Sequence, residues 1–212
     1  MKTAIIGLGN IGRQVALNLI AGGEDLIVAD HGPVKAQDFA KGSQGRARAA
    51  SVAEAIEAAG VIIFAVYFDA IKELLGEYRE RLVGKIVVDP SNPIAPDGSG
   101  GFKKIISQDQ SAGQTLAALL PPGAKFVKAF GTLSAGSLKS GARRSPESNV
   151  LFYASDDREA GNIVAQLIGA SGFAAVRVGG VDQSIRIEVF GDLHELGKLG
   201  KLVTAKEAAA LV

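Results

Sequence analysis

Six residues near the start of the chain, Gly7-Leu8-Gly9-Asn10-Ile11-Gly12, constrain its architecture more than any other stretch. They follow a short apolar run, Thr3–Ile6, and open the segment Asn10–Ala21, where Ile11, Val15, Leu19 and Ile20 recur at helical spacing. A pair of glycines, Gly22 and Gly23, stops that segment, and a second apolar run, Leu26–Ala29, leads into the acidic Asp30. A G-x-G-x-x-G loop between a strand and a helix, with an acid closing the next strand, is the dinucleotide fingerprint of a Rossmann βαβ unit. Each glycine has a physical task. Gly7 permits the tight turn, Gly9 lets the backbone approach a pyrophosphate, and Gly12 lets helix and strand pack closely. The helix N-terminus adds unpaired N–H groups and a positive dipole end.

The rest of the first half continues the alternation. A short helix is expected over residues 34–40, and Ser51 with Glu54 forms a capping box for a helix over 51–59. Residues 61–66 are continuously apolar, as in a strand buried on both faces; a helix over 70–82 and a strand over 85–88 follow. Strands alternating with helices imply an α/β fold, a doubly wound and mostly parallel sheet.

After Asp89 the pattern changes. Pro90, Pro93 and Pro96, then the glycine-rich residues 98–101, read as a long irregular loop, and such loops in compact domains are usually functional. Beyond it the sequence predicts a helix over 113–120, a strand over 125–130, a loop over 138–148 and a strand over 149–154. Asp156 is expected to cap a helix running to Ala170, ahead of a strand over 174–178 and a partly helical tail. With no repeat or low-complexity linker, residues 1–212 read as one domain with a small C-terminal extension.

Composition excludes several classes. The net charge is +1 with both signs interspersed, which leaves neither a nucleic-acid footprint nor a polybasic membrane patch. No apolar run approaches the roughly 18 residues of a membrane span, so a cytoplasmic protein is expected. The absence of cysteine rules out disulfides and thiolate nucleophiles, and two histidines, His31 and His194, cannot make a histidine-rich metal site.

Asp30 bears on which dinucleotide binds. A carboxylate there accepts hydrogen bonds from the adenosine ribose and repels a 2′-phosphate, which favours NAD. His31, Lys35, Lys41, Arg46 and Arg48 lie close in sequence and could receive the 2′-phosphate of NADP, or could simply form a solvated face. Ligands of such sheets bind at the carboxyl ends of the strands, where Val66, Tyr67 and Phe68 leave one strand and Ser91, Asn92 and Pro93 leave the next. These edges should flank the nicotinamide, although aromatics also serve as core and Asn-Pro also serves as a turn.

Several blocks go beyond the glycine loop: residues 5–12, DPSNPI at 89–94, VKAFGTL at 127–133, LFYASDD at 151–157, VGGVD at 178–182 and GDLH at 191–194. In these the chain resembles the NADPH-dependent reductases of the deazaflavin coenzyme F420. Their Rossmann domain recurs in the STEAP metalloreductases and in pyrroline-5-carboxylate reductase. The resemblance implies a nicotinamide stacked face to face on a planar acceptor, F420 or a flavin. The acceptor would lie against Asn92, Pro93 and the stretch Ala129, Phe130, Gly131 to Leu133, with residues from about 135 to 212 completing its site. In the family the second strand typically ends in Ser-Arg-like residues that hold the 2′-phosphate, where this chain has Asp30-His31. Relatives often carry a larger polar residue at the Gly131 position, which implies a differently shaped acceptor pocket here.

Hydride transfer between two rings needs proximity and orientation more than acid–base chemistry, and the sequence has no Ser-His-Asp set. A donor near the acceptor ring could come from the Thr132 hydroxyl or from backbone N–H groups at Gly131-Thr132. His194 either contacts the acceptor or makes a structural hydrogen bond at a helix end. Arg186 and Glu188 read as surface or interface charges. Val181, Ile185, Ile187, Val189 and Leu193 could pack on the chain's own sheet or against a second subunit, which would make a homodimer. The expected activity is an oxidoreductase moving hydride between NAD(P)H and F420 or a flavin. The alternatives are an imine or carbonyl reductase, whose relatives usually append a helical domain that is not expected here, and a non-catalytic redox sensor. Replacing Asp30 with Ser is expected to shift the ratio of NAD to NADP affinity toward NADP in equilibrium titrations. An unmoved ratio would mean that Asp30 does not read the ribose.

Overall fold

The computed structural model describes residues 1–212. The apolar runs form β1 (Thr3–Ile6), β2 (Leu26–Ala29), β4 (Val61–Phe64) and β5 (Ile86–Asp89), and every residue in them is buried. Between them lie α1 (Asn10–Ala21), α2 (Pro33–Lys41), a short edge strand β3 (Ala47–Ala49), α3 (Val52–Ala58) and α4 (Phe68–Glu77). The capping box on α3 is present in full, with Ser51 and Glu54 exchanging bonds. A hairpin of β6 (Ile94–Pro96) and β7 (Phe102–Lys104) follows β5, and then α5 (Ala112–Leu119) and β8 (Lys125–Lys128). The chain ends with α6 (Ala135–Gly141), β9 (Val150–Ala154), α7 (Arg158–Ala170), β10 (Ala174–Gly179), a 3-10 turn Val181–Ile187 and α8 (Ala205–Ala208).

Eight strands form one sheet in the order β10-β9-β8-β5-β4-β1-β2-β3. The six from β3 to β8 are mutually parallel, which makes this the expected doubly wound α/β sheet. β9 and β10 are parallel to each other and antiparallel to β8. The chain runs from β1 outward to β2 and β3, then returns to β4 on β1's other side. The carboxyl ends of β1 and β4 therefore face a topological switch, where such sheets leave a crevice. One face of the sheet is covered by α1 and α7 through Val15, Leu19, Val164 and Ile168. The other is covered by α3, α4 and α5 through Ile56, Ile71, Leu75 and Leu116. No helix is long and apolar enough to cross a membrane.

Several expectations are corrected. The long loop after Asp89 contains the β6–β7 hairpin, whose turn is held by Asp97 Oδ1 accepting from the amides of Ser99 and Gly101. Its strands are three residues each with none of them buried, so no apolar alternation announces them. Within 138–148 the first residues belong to α6, because Ser134 caps a sequence so rich in Gly and Ser that it reads as loop. The cap of α7 is Asp157, not Asp156. Asp157 Oδ1 accepts from the Ala160 amide, while Asp156 Oδ1 accepts from the Val181 amide and ties the chain after β10 to the end of β9. The helix expected over 70–82 begins at Phe68 and gives way to a 3-10 turn at Arg79–Leu82. Of the tail's apolar residues, Ile187 and Leu193 pack in a third cluster with Val150, Phe152 and Val203 on the chain's own sheet.

The ends of β5 and β8 are joined by a buried ion pair. Asp89 and Lys128 are register partners, and their side chains are 0% and 1% exposed. Lys128 Nζ lies 2.6 Å from Asp89 Oδ2 and 2.5 Å from the Ser91 carbonyl, and Asp89 Oδ1 accepts from the Ser91 amide. Removing one member of such a pair leaves a charge buried without compensation, so Lys128→Met is expected to cost about 3–5 kcal/mol. Denaturant unfolding measures this, and adding Asp89→Asn should recover part of the loss. A Lys128→Met protein as stable as the wild type would show that the pair does not hold this edge.

Candidate functional site

The glycine loop sits at the carboxyl end of β1. Gly7 is at φ +97, and a Cβ on it would lie 2.5 Å from the Ala65 carbonyl oxygen. Gly12 is packed directly on Gly7 and Ala65, so a side chain there would separate α1 from the sheet. Gly9 differs from both. It caps α1 with extended backbone, and nothing lies within 4 Å of where its Cβ would be. No side chain caps α1 and no acid stands in its first turn, so its N–H groups and dipole end face open space beside Gly9 and Asn10. Ile11 is half-buried against the core behind them.

Asp30 braces this loop. Its Oδ2 accepts from the Leu8 amide at 2.9 Å, and its Oδ1 takes the His31 amide at 2.8 Å and His31 Nδ1 at 2.6 Å. Burial works against the charge. The bonds from Leu8 and His31 outweigh it, so the carboxyl lies below its ordinary value and Asp30 is ionised. The His31 ring is 87% exposed. Asp30, His31, Pro33, Gln37, Ser51 and Tyr78 are among the residues lining an open groove of about 610 Å³ beside the ends of β2 and β3. Of the other basic residues expected nearby, Lys35 is exposed and adds to the positive field at Asp30. Lys41 pairs with Asp38, Arg46 pairs with Asp25, and Arg48 lines a separate surface hollow with Glu57 and Arg81.

The aromatic pair after β4 divides. Phe68 is buried in the core under α4, and Tyr67 is 85% exposed at the start of that helix. Val66 is half-buried and touches the space a Gly7 side chain would need.

At the ends of β5 and β8 the structure brings the second group of candidates together. Asn92 donates from Nδ2 to the Gly131 carbonyl at 3.0 Å and accepts at Oδ1 from the Val189 amide at 2.7 Å. Pro93 and Ala129 are buried beside it, and Phe130 is wholly buried at φ +65. A Cβ on Gly131 would lie 2.6 Å from the Pro90 carbonyl oxygen, so the loops after β5 and β8 touch with no room for a larger residue at that position. Ser91 Oγ and Thr132 Oγ1 are buried with no hydrogen-bond partner in the protein. Buried hydroxyls are normally bonded, so these are two unspent groups at one edge.

His194 is an internal brace and not a helix cap. It lies in the irregular segment after the last 3-10 turn, is 2% exposed, and meets the Gly131 carbonyl through Nε2 at 2.9 Å. Because Nδ1 accepts from the Leu196 amide, Nε2 carries the proton and donates. Burial pushes its pKa below the ordinary histidine value, so the ring is neutral near pH 7.

The sequence reading missed three residues and misplaced a fourth. Asp89 and Lys128 had a legible signal, since a lysine inside the apolar run at 126–130 demands a buried partner. Phe190, in a left-handed conformation at φ +73, had none. Glu188 is not a surface charge. It is 1% exposed, and its carboxylate accepts from Ser111 Oγ and from the amides of Ala112 and Gly113 at the start of α5. Arg186 pairs with Asp192 within the tail.

Comparison with known proteins agrees with this geometry. A family model described as "NADP oxidoreductase coenzyme F420-dependent" matches residues 2–93. The F420-dependent NADP reductase of Methanothermobacter marburgensis is 30% identical over 199 residues, covering 89% of this chain and 88% of that protein. The chain belongs to the coenzyme F420-dependent NADP oxidoreductase family. It is an NAD(P)-dependent oxidoreductase. Metalloreductase STEAP3 of Rattus norvegicus is 28% identical over 187 residues; these cover 88% of this chain but 36% of that protein, so the chain spans about a third of that relative. A crystal structure of the protein SMa0349 from Sinorhizobium meliloti superposes with a TM-score of 0.84 at 29% identity, covering 96% of this chain and 95% of that one.

The open space at Gly9 generates a clean test. Gly9→Val is expected to abolish dinucleotide binding in fluorescence titrations while leaving the melting temperature near the wild-type value, because a Cβ there has no protein atom within 4 Å. Retained affinity would remove the loop from the binding site.

Proposed function

We propose that this member of the F420-dependent NADP oxidoreductase family passes a hydride between NAD(P)H and a planar acceptor, deazaflavin F420 or a flavin. In this reading the pyrophosphate lies on Gly7, Leu8, Gly9, Asn10, Ile11 and Gly12, and the adenosine ribose lies by Asp30 and His31. The nicotinamide would reach the edge formed by Val66, Tyr67, Ser91, Asn92 and Pro93, with the acceptor against Ala129, Phe130, Gly131 and Thr132. The segment from about residue 135 onward completes that site within a single domain.

The observation that carries the reading is the meeting, at one sheet edge, of the Ser91–Pro93 and Ala129–Thr132 loops with the turn holding Val189 and His194. When bound, the reduced nicotinamide supplies a hydride, two electrons and a proton moving together. The chain's own work is placement. Asn92 and His194 lock the Gly131 carbonyl, so the loops offer fixed backbone to a ring. The hydroxyls of Ser91 and Thr132, buried in the same two loops with no protein partner, add polar groups beneath the surface an acceptor would meet.

The titratable groups buried at this edge (Asp89, Lys128, Glu188 and His194) are each engaged in internal bonds. None of these four is free to donate a proton to a carbonyl substrate, which suits transfer between two rings. The M. marburgensis relative uses NADP by name, and for this chain Lys35 offers positive charge to a 2′-phosphate while ionised Asp30 opposes it, which leaves NAD as a competing dinucleotide.

Steady-state oxidation of NADPH and NADH tests the proposal with F420, FMN, FAD and ferric chelates as acceptors. Turnover with F420 or a flavin is expected. Tight dinucleotide binding with no turnover on any acceptor would favour a redox-sensing module.

A further inference from the structure

Four residues other than glycine have positive φ: Gln44, Phe130, Arg143 and Phe190. Bulky side chains avoid this region, because Cβ crowds the backbone there. Gln44 lies in an exposed turn before β3. Arg143 recovers the cost through its guanidinium, which donates to the carbonyls of Asn18, Ala170 and Ser171. Phe130 is 0% exposed, so its ring gains a full core contact. Phe190 has no such return. It stands at φ +73 with 45% of its surface exposed.

The surrounding turn leaves Phe190 no alternative. On one side Asn92 Oδ1 takes the Val189 amide at 2.7 Å, and Glu188 is buried on the start of α5. On the other side Gly191 donates to the Glu188 carbonyl and accepts from the Lys198 amide, and a Cβ on Gly191 would lie 2.5 Å from the Ile185 carbonyl oxygen. Backbone strain persists where the surroundings over-determine it, and such places cluster at ligand sites.

Two further exposed apolar side chains border the same loops. Ile105, 42% exposed, donates its amide to the Pro93 carbonyl, and Leu196, 51% exposed, donates its amide to His194 Nδ1. Phe190, Ile105 and Leu196 thus each stand within a residue or two of Asn92, Pro93 or Gly131.

We propose that Phe190 is a specificity-determining residue of the acceptor site, and that its ring supplies a stacking face for a planar heterocycle, with Ile105 and Leu196 forming the apolar rim. The inference rests on the function proposed above. Offset stacking of two aromatic systems is the interaction such a ring offers, and it selects for flat acceptors.

The test compares wild type, Phe190→Leu and Phe190→Tyr, each saturated with oxidised dinucleotide and titrated separately with F420 and FMN by fluorescence. Phe190→Leu should weaken binding of the preferred acceptor about tenfold, as expected for loss of a stacked ring. Phe190→Tyr should bind as wild type, and dinucleotide affinity should be the same in all three, which also reports an intact fold. In turnover, the acceptor KM should rise while the dinucleotide KM does not. If wild type binds an acceptor and Phe190→Leu binds it equally well, the role of Phe190 is overturned and the proposed function stands. If wild type binds neither F420 nor FMN, both proposals fall together.

Discussion

A lysine and an aspartate taken out of water hold the working edge of this sheet together. Burying two charges is costly, and the cost is offset only when geometry is good and the remaining donors and acceptors are filled. Asp89 and Lys128 go most of the way to that condition through Ser91, whose amide and carbonyl are both taken up by the pair. The chain leaving β5 is therefore aimed in one direction. Asn92 comes next, and its amide reaches Gly131 on one side and Val189 on the other. One ion pair thus sets the positions of three loops that are remote from one another in sequence.

The two ends of the crevice are stabilised by different means. At the end of β1, an exposed helix terminus and open space at Gly9 are held in place by one ionised carboxylate, Asp30, bonded to the Leu8 amide. At the edge formed by β5 and β8 the groups are buried and neutral or paired. His194 is kept uncharged by burial, and Glu188 is spent on the start of α5. Asp30 braces the glycine loop and also lines the open groove beside β2 and β3. The neighbouring His31 ring, bonded to it and exposed, stands at the same point.

Much of the first half was readable because its signals are local. The strands Thr3–Ile6 and Leu26–Ala29, the helix Asn10–Ala21 and the Ser51–Glu54 capping box each depend on residues a few positions apart. Elements with weak local signals were lost. The hairpin after Pro93 is too short and exposed to show alternation, and α6 is a helix made of residues that favour loops. The cap of α7 moved by one residue because two adjacent aspartates can each cap, and the choice fell to Asp156 being needed by the Val181 amide.

The sequence alone determined a parallel α/β sheet, a glycine turn at Gly7 to Gly12 between its first strand and helix, and a family resemblance carried by blocks along most of the chain. These follow from periodicity and from the backbone freedom of glycine, which are properties of short segments. Only the tertiary structure decided that Glu188 and His194 are internal braces, that Gly131 has no space to be anything larger, and that Phe190 stands strained and exposed beside Asn92. Each of those depends on partners brought together across long stretches of chain, as with Asn92 and Val189 at 97 residues apart. A buried charge or a crowded Cβ is defined by what lies against it, and that is known only once the sheet has closed over its loops.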